Sequence, residues 1–153
     1  MREIRKVTID DLESIKTIYE KAFDRTEGVL KYYAGFSEYV QFCMKQNYAY
    51  LAVEDNTVCG VLLAYEIPDM LFGKSVYIEL LAVLPEYQKK GIGTELLNAI
   101  KTIAQDKEIK ELSLRTGCYM DSYQMYKNYG FRDTRDDHRF MVMNIRKQVK
   151  SDE

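Results

Sequence analysis

Hydrophobic and polar positions change period several times along this chain, and each change marks an element. Ile4 to Ile9 alternates weakly and predicts a strand, after which Asp10-Asp11-Leu12-Glu13 has the composition of a helix start with a capping-box carboxylate. Leu12, Ile15, Ile18, Tyr19, Ala22 and Phe23 recur at helical spacing and predict a first helix that ends before Gly28. A second helical region, 29–46, carries the aromatics Tyr32, Tyr33, Phe36, Tyr39 and Phe42. The apolar runs Asn47 to Glu54 and Val58 to Ile67 flank Asp55-Asn56-Thr57, the composition of a hairpin turn. Ser75 to Leu84 reads as a further strand, stopped by Pro85.

Beyond Gly93, Leu96, Leu97, Ile100, Ile103 and Ala104 share one helical face. Glu111 to Thr116 predicts a short strand and Met120 to Tyr129 a short helix with Gly130 at its C′ position. Phe131 to Arg135 and His138 to Ile145 predict a closing pair of strands. The order β, α, α, β, β, β, α, β, α, β, β gives about seven strands. Antiparallel hairpins mixed with one strand-helix-strand crossover indicate an α+β domain with a mixed, mostly antiparallel sheet. One domain over residues 1–146 is expected, followed by a polar tail at 147–153.

Composition narrows the class. With 153 residues, 46% hydrophobic and 30% charged, the chain suits one compact domain with its own core. Its longest apolar stretch, Val58 to Tyr65, is far below the ~18 residues of a membrane span. The charged start Met1 to Val7 is followed by no apolar core of a secretory signal. Cys43, Cys59 and Cys118 are three in number with no C-x-x-C spacing, which suggests neither disulfides nor a metal site and fits a reducing cytoplasm. A net charge of −2 lacks the basic excess of a phosphate-backbone reader, so no nucleic-acid partner is expected, and no membrane.

Gln88-Lys89-Lys90-Gly91-Ile92-Gly93-Thr94 lies between an apolar strand and an amphipathic helix. Two glycines permit a tight turn that aims several N–H groups one way, at the positive end of the helix dipole. Lys89 and Lys90 add charge, and Thr94 a hydroxyl. Such a concavity suits a pyrophosphate. It is neither a Walker loop nor the G-x-G-x-x-G fingerprint, and a plain helix-capping turn is the alternative reading of the heptapeptide by itself.

The context of the loop carries more. Tyr77-Ile-Glu-Leu-Leu-Ala-Val-Leu-Pro-Glu-Tyr-Gln-Lys-Lys-Gly-Ile-Gly-Thr-Glu-Leu96 resembles the acetyl-coenzyme-A motif of the GNAT superfamily of N-acetyltransferases, [Q/R]-x-x-G-x-[G/A] after a strand of L-A-V-x-P type. Tyr126-Lys-Asn-Tyr-Gly-Phe131 resembles the family's Y-x-x-x-G-F segment, in the family's order. The resemblance implies a three-layer domain with helices on both faces of the sheet, acetyl-coenzyme A as co-substrate, no metal, and self-association as a homodimer. It implies that Gln88 opens the loop and that Lys89, Lys90, Gly91, Ile92, Gly93 and Thr94 wrap the pyrophosphate. Leu81, Ala82 and Val83 would line the pantetheine arm, the amides of Leu81 or Val83 polarising the thioester carbonyl.

An amine acceptor with pKa near ~10.4 must first lose a proton. Glu79 is the candidate base, the one charged residue between Val76 and Leu84, where burial in a central strand would favour proton uptake. Its alternative is an exposed edge position or a pairing with Arg115. Tyr126 stands where many members of the family carry the acid that protonates the departing thiolate. Two positions depart from the family pattern: the glutamate of N-terminal acetyltransferases is replaced by Leu114 beside Arg115, and a common asparagine by Tyr119. Tyr32, Tyr33, Phe36 and His138 are candidate acceptor-pocket residues. A covalent role for Cys118 conflicts with direct attack in a ternary complex. Glu66, Asp69, Asp136 and Asp137 on candidate rim loops favour a cationic small molecule. Alternative readings are a protein N-terminal or lysine acetyltransferase and a non-catalytic acyl-coenzyme-A-binding regulatory module.

Overall fold

The computed structural model of the chain describes residues 1–23, 35–71, 73–116, 120–134, 141 and 143–145. They belong to two compact units, Met1–Thr116 and Gly117–Glu153. The first holds β1 (Arg2–Lys6), α1 (Leu12–Ala22), α2 (Gly35–Lys45), β2 (Ala49–Glu54), β3 (Thr57–Asp69), β4 (Gly73–Val83), α3 (Ile92–Asp106) and β5 (Leu112–Leu114). The second holds α4 (Asp121–Tyr129).

Five strands form one sheet in the order β1-β2-β3-β4-β5. The first three pairings are antiparallel and β4 pairs with β5 in parallel, so the sheet is mixed and mostly antiparallel, as the pattern predicts. Asp55 and Asn56 both take positive φ, 49° and 67°, the conformation that turns β2 into β3 within two residues. Of the two closing strands expected from the sequence, residues 131–134 form no strand, and most of 135–145 lies outside the described residues. The expected seven strands are therefore five among the described residues.

The core is built from β2, β3 and β4 and the helices packed on them. Leu51, Val61, Leu62, Val76, Leu96, Leu97 and Ile100 are fully enclosed. Gly60 on β3 lets α3 approach, because a Cβ there would lie 2.9 Å from Ile92 Cγ2 and 3.3 Å from Leu96 Cδ1. Tyr65, an odd number of residues along β3, faces the opposite side of the sheet and meets Tyr39 and Phe42 of α2 at centroid distances of 5.9 and 5.6 Å. Helices α2 and α3 thus cover opposite faces of β3.

The capping arrangement sits two residues earlier than the sequence pattern suggests. Asp11, not Glu13, is its acid: Asp11 Oδ2 accepts from the backbone N–H of Thr8 at 2.7 Å and from Thr8 Oγ1 at 3.1 Å. Arg5 on β1 completes it with two bonds of 2.9 Å to the same carboxylate. The Arg5 guanidinium, offset in part by burial, holds the Asp11 carboxyl down at about 2. Tyr48, wholly buried, donates to Glu66 Oε1 at 3.2 Å, and Lys107 lies 3.8 Å from the same oxygen. Glu66 is thereby a bracing group between β3 and the end of α3 rather than a rim residue.

Two outcomes follow. Gly60→Val forces a side chain into Ile92 and should lower unfolding free energy by about 1–3 kcal/mol in urea titration. Asp11 is depressed when folded, so its contribution is present above the unfolded carboxyl pKa near ~4 and disappears as pH falls toward about 2. Allowing for the partly exposed arginine, Asp11→Asn should cost roughly 1–2 kcal/mol at neutral pH and flatten the acid-side loss of stability between pH ~4 and ~2.

Candidate active site

The site begins with an extra residue. Along β3 and β4, Leu63 pairs with Leu80 and Ala64 with Ile78, so Glu79 stands opposite no partner and is a β-bulge. A bulge reverses which edge of the strand each later N–H faces. Val76 donates to Glu111 on the β5 side at 3.0 Å, whereas Leu84, eight residues on, donates to Cys59 of β3 at 2.8 Å. Without the bulge, two residues an even number apart would face the same neighbour. Because Leu84 faces β3, alternation turns the N–H groups of Val83 and Leu81 to the other edge.

That edge is open. The β4–β5 ladder runs only from Val76↔Leu112 to Ile78↔Leu114, while β4 continues to Val83. On that edge Glu79 to Val83 therefore presents backbone without a ladder partner among the described residues. Ala82 is buried, and Leu81 and Val83 are half-buried.

The loop after β4 is fastened to the same stretch. Pro85 to Tyr87 form one 3₁₀ turn, and Gln88 Nε2 donates to the carbonyl of Val83 at 2.9 Å. Lys89 and Gly91 then take left-handed backbone, φ 61° and 87°, and α3 starts at Ile92. Gly91 is the cap residue, and its positive φ is one that a side chain resists. Glu95 makes the first bond of the helix, its N–H to the carbonyl of Gly91 at 3.1 Å. Among the described residues no acceptor meets the backbone N–H of Lys89, Lys90, Gly91, Ile92, Gly93 or Thr94. Six donors at a helix's positive end are chemically suited to an anion. Lys90 lies with its ammonium 5.4 Å from the Tyr87 ring centroid, and Lys89 is exposed.

Across β4 from this edge stands an aromatic group that the sequence pattern does not single out. Tyr65 touches Tyr77 at 5.6 Å, in addition to Tyr39 and Phe42 of α2. Glu79 bears on them electrostatically. Burial first, then the charge of Glu79, raises the Tyr77 hydroxyl, with Arg115 acting the other way. Burial likewise raises Tyr39, whose hydroxyl oxygen is enclosed. Cys43, next to Phe42 on α2, is pushed by burial to about 12 and stays a thiol. The Glu79 side chain itself is exposed, which departs from the enclosed position expected of a central strand, because the bulge lifts it out of the ladder.

In the second unit Tyr126 is 8% exposed, and burial raises its hydroxyl to about 12, so it carries its proton throughout the neutral range. Its ring meets Phe131 edge-on at 5.7 Å, held by Gly130 at φ 127° and by the Phe131 N–H bonding the Tyr126 carbonyl at 3.0 Å. This turn is what the spacing Y-x-x-x-G-F encodes. Phe36, at the start of α2, is half-buried with Lys16 5.8 Å from its centroid. Tyr32, Tyr33, Cys118, Tyr119 and His138 lie outside the described residues. No helix among the described residues is long and apolar enough to cross a membrane.

Comparison with known proteins agrees with this geometry. The family model described as "Acetyltransferase (GNAT) family" matches residues 12–131. No curated protein sequence matches. Among solved structures, an aminoglycoside acetyltransferase from an uncultured soil metagenomic sample is similar with TM-score 0.74 and 19% identity, over 94% of this chain and 97% of that one. A predicted acetyltransferase from Clostridium acetobutylicum, solved with acetyl-CoA, is similar with TM-score 0.73 and 20% identity, over 95% of this chain and 97% of that one. Arabidopsis thaliana Naa50, in complex with the bisubstrate analogue CoA-Ac-MVNAL, follows with TM-score 0.69 and 22% identity, over 88% of this chain and 85% of that one. With the family model spanning the bulged strand, the free-amide loop and the tyrosine turn together, the chain belongs to the GNAT family of acetyltransferases.

Proposed function

We propose that this protein transfers the acetyl group of acetyl-coenzyme A to a primary amine by direct attack in a ternary complex, and that the acceptor is a small cationic amine. The observation that carries this reading is the row of unengaged N–H groups from Lys89 to Thr94 beside the stretch Glu79–Val83, whose β5-side edge has no ladder partner among the described residues. The loop is the pyrophosphate cradle. Its donors are main-chain groups already fixed by the glycine cap and by the Gln88–Val83 bond, so little ordering is needed when the anion arrives.

The pantetheine arm extends along the open edge of β4, pairing with its backbone much as a strand would. The Leu81 and Val83 amides that the bulge turns outward are the donors for the thioester oxygen, where attack builds negative charge. Nucleophilic attack forms the N–C bond and breaks the C–S bond, with one proton leaving the amine and one reaching the sulfur.

Glu79 takes the amine's proton, directly or through a water, and its exposure beside the Tyr65 and Tyr77 rings suits it first to attract an ammonium ion. Tyr126 gives the proton to the leaving thiolate, for which its retained hydroxyl proton is the chemical requirement. The acceptor pocket is built on Tyr39, Tyr65 and Tyr77 with Phe36. The aminoglycoside acetyltransferase neighbour, solved also with sisomicin, supports an amine-bearing cationic acceptor of this kind.

Gly91→Val should weaken coenzyme A binding at least tenfold by calorimetry while the protein stays folded, since it strains the cap that spaces the cradle. In a thiol-release assay with a panel of polyamines and aminoglycosides, Glu79→Gln and Tyr126→Phe should each lower kcat by about 10–10²-fold, with binding of coenzyme A nearly unchanged. Equal turnover in Tyr126→Phe and the parent protein would remove the hydroxyl from the reaction.

A further inference from the structure

The anion cradle at the start of α3 carries a carboxylate close by. Glu95 is the fourth residue of the helix, within one turn, roughly 5 Å along the axis, of the free amides. A negative side chain there complements the helix dipole, yet it repels any other anion seeking the same N–H groups. Arg2 of β1 meets it: Arg2 Nη1 lies 3.2 Å from Glu95 Oε2, and Arg2 Nη2 lies 3.6 Å from Glu54 Oε1 on the neighbouring strand.

The guanidinium is not an ordinary surface group. Its side chain is 20% exposed, and among the described residues its Nε is enclosed without a partner, as is Glu54 Oε2. The group also lies against the loop: Arg2 Nη1 is 3.9 Å from the position that a Cβ on Gly91 would occupy. A strand at the far edge of the sheet from β5 thus sends a cation beneath the cap residue of the cradle.

We infer that Arg2 is a positioning residue for the co-substrate site, cancelling the charge of Glu95 so that the first turn of α3 accepts the pyrophosphate of coenzyme A. The inference rests on the reading of residues 88–94 as the pyrophosphate cradle. Neither Arg2 nor Glu95 need touch the ligand. Their interaction sets the potential at the amides over a distance at which salt still allows a field to act.

Arg2 stands between two carboxylates, so removing it alone takes the local charge from −1 to −2, and removing Glu95 as well returns it to −1. Coenzyme A binding is measured by calorimetry at low and at high salt for the parent protein, for Arg2→Met, for Arg2→Met with Glu95→Gln, and for Glu95→Gln alone. Melting temperature reports folding in each. At low salt Arg2→Met should bind about five- to tenfold more weakly, the estimate for one added uncompensated charge facing a doubly charged ligand. Adding Glu95→Gln should restore affinity to within about twofold of the parent, and raising salt to about 0.5 M should shrink the differences. Glu95→Gln alone, which keeps Arg2 in place, should bind more tightly than the parent, and Arg2→Lys should stay near it. Arg2→Met binding as the parent does, Arg2→Met with Glu95→Gln as weak as Arg2→Met at every salt, or Glu95→Gln alone no tighter than the parent would overturn the inference. Absence of coenzyme A binding by the folded parent protein would instead overturn the cradle reading, and the role of Arg2 with it.

Discussion

A strand that gains one residue between two fixed pairings must turn its hydrogen-bonding edge around, and β4 gains that residue at Glu79. Before the bulge, β4 spends its outward N–H on β5; after it, Leu84 spends its own on β3, and Leu81 and Val83 are turned toward the edge that β5 has already left. One irregularity therefore does three things. It ends the ladder to β5, aims two amides at open space, and lifts a carboxylate out of the sheet beside them. The rest of the first unit holds this arrangement still.

Gly60 contributes to that holding by letting α3 close on β3. It brings Ile92 and Leu96 onto β3, which fixes where α3 begins and so where the N–H groups of residues 89–94 point. Gln88 adds a tether from loop to strand end through Val83. On the other face, Tyr39 and Phe42 of α2 pack on Tyr65, placing aromatic surface next to Glu79. On the proposed reading, the donor side of the site is main chain made rigid by packing, and the acceptor side is side chain made apolar by the same sheet.

Much of this was legible before any coordinates. The glycines at 91 and 93 between an apolar strand and an amphipathic helix point to a tight turn at a helix start, and Gly91 is indeed the cap of α3, at φ 87°. The Tyr126 turn was legible for the same reason, through Gly130. The bulge was not: Ile78-Glu79-Leu80 reads as ordinary alternation, and only the register against β3 shows the extra residue. The tyrosines beside Glu79 were hidden too, since Tyr39, Tyr65 and Tyr77 come from three elements whose meeting is a property of the tertiary fold. Arg2 and Glu95 are 93 positions apart in the chain and carry no shared pattern.

The most direct measurement is the response of individual backbone amides, by nitrogen–proton correlation NMR, as coenzyme A is added. The resonances of Lys89 to Thr94 should move most, joined by Leu81 and Val83 when the acetylated form is used, while Ala82 and Leu84, which face β3, stay nearly still. Saturable binding that leaves those six loop amides unmoved would contradict the assignment of this loop as the cradle.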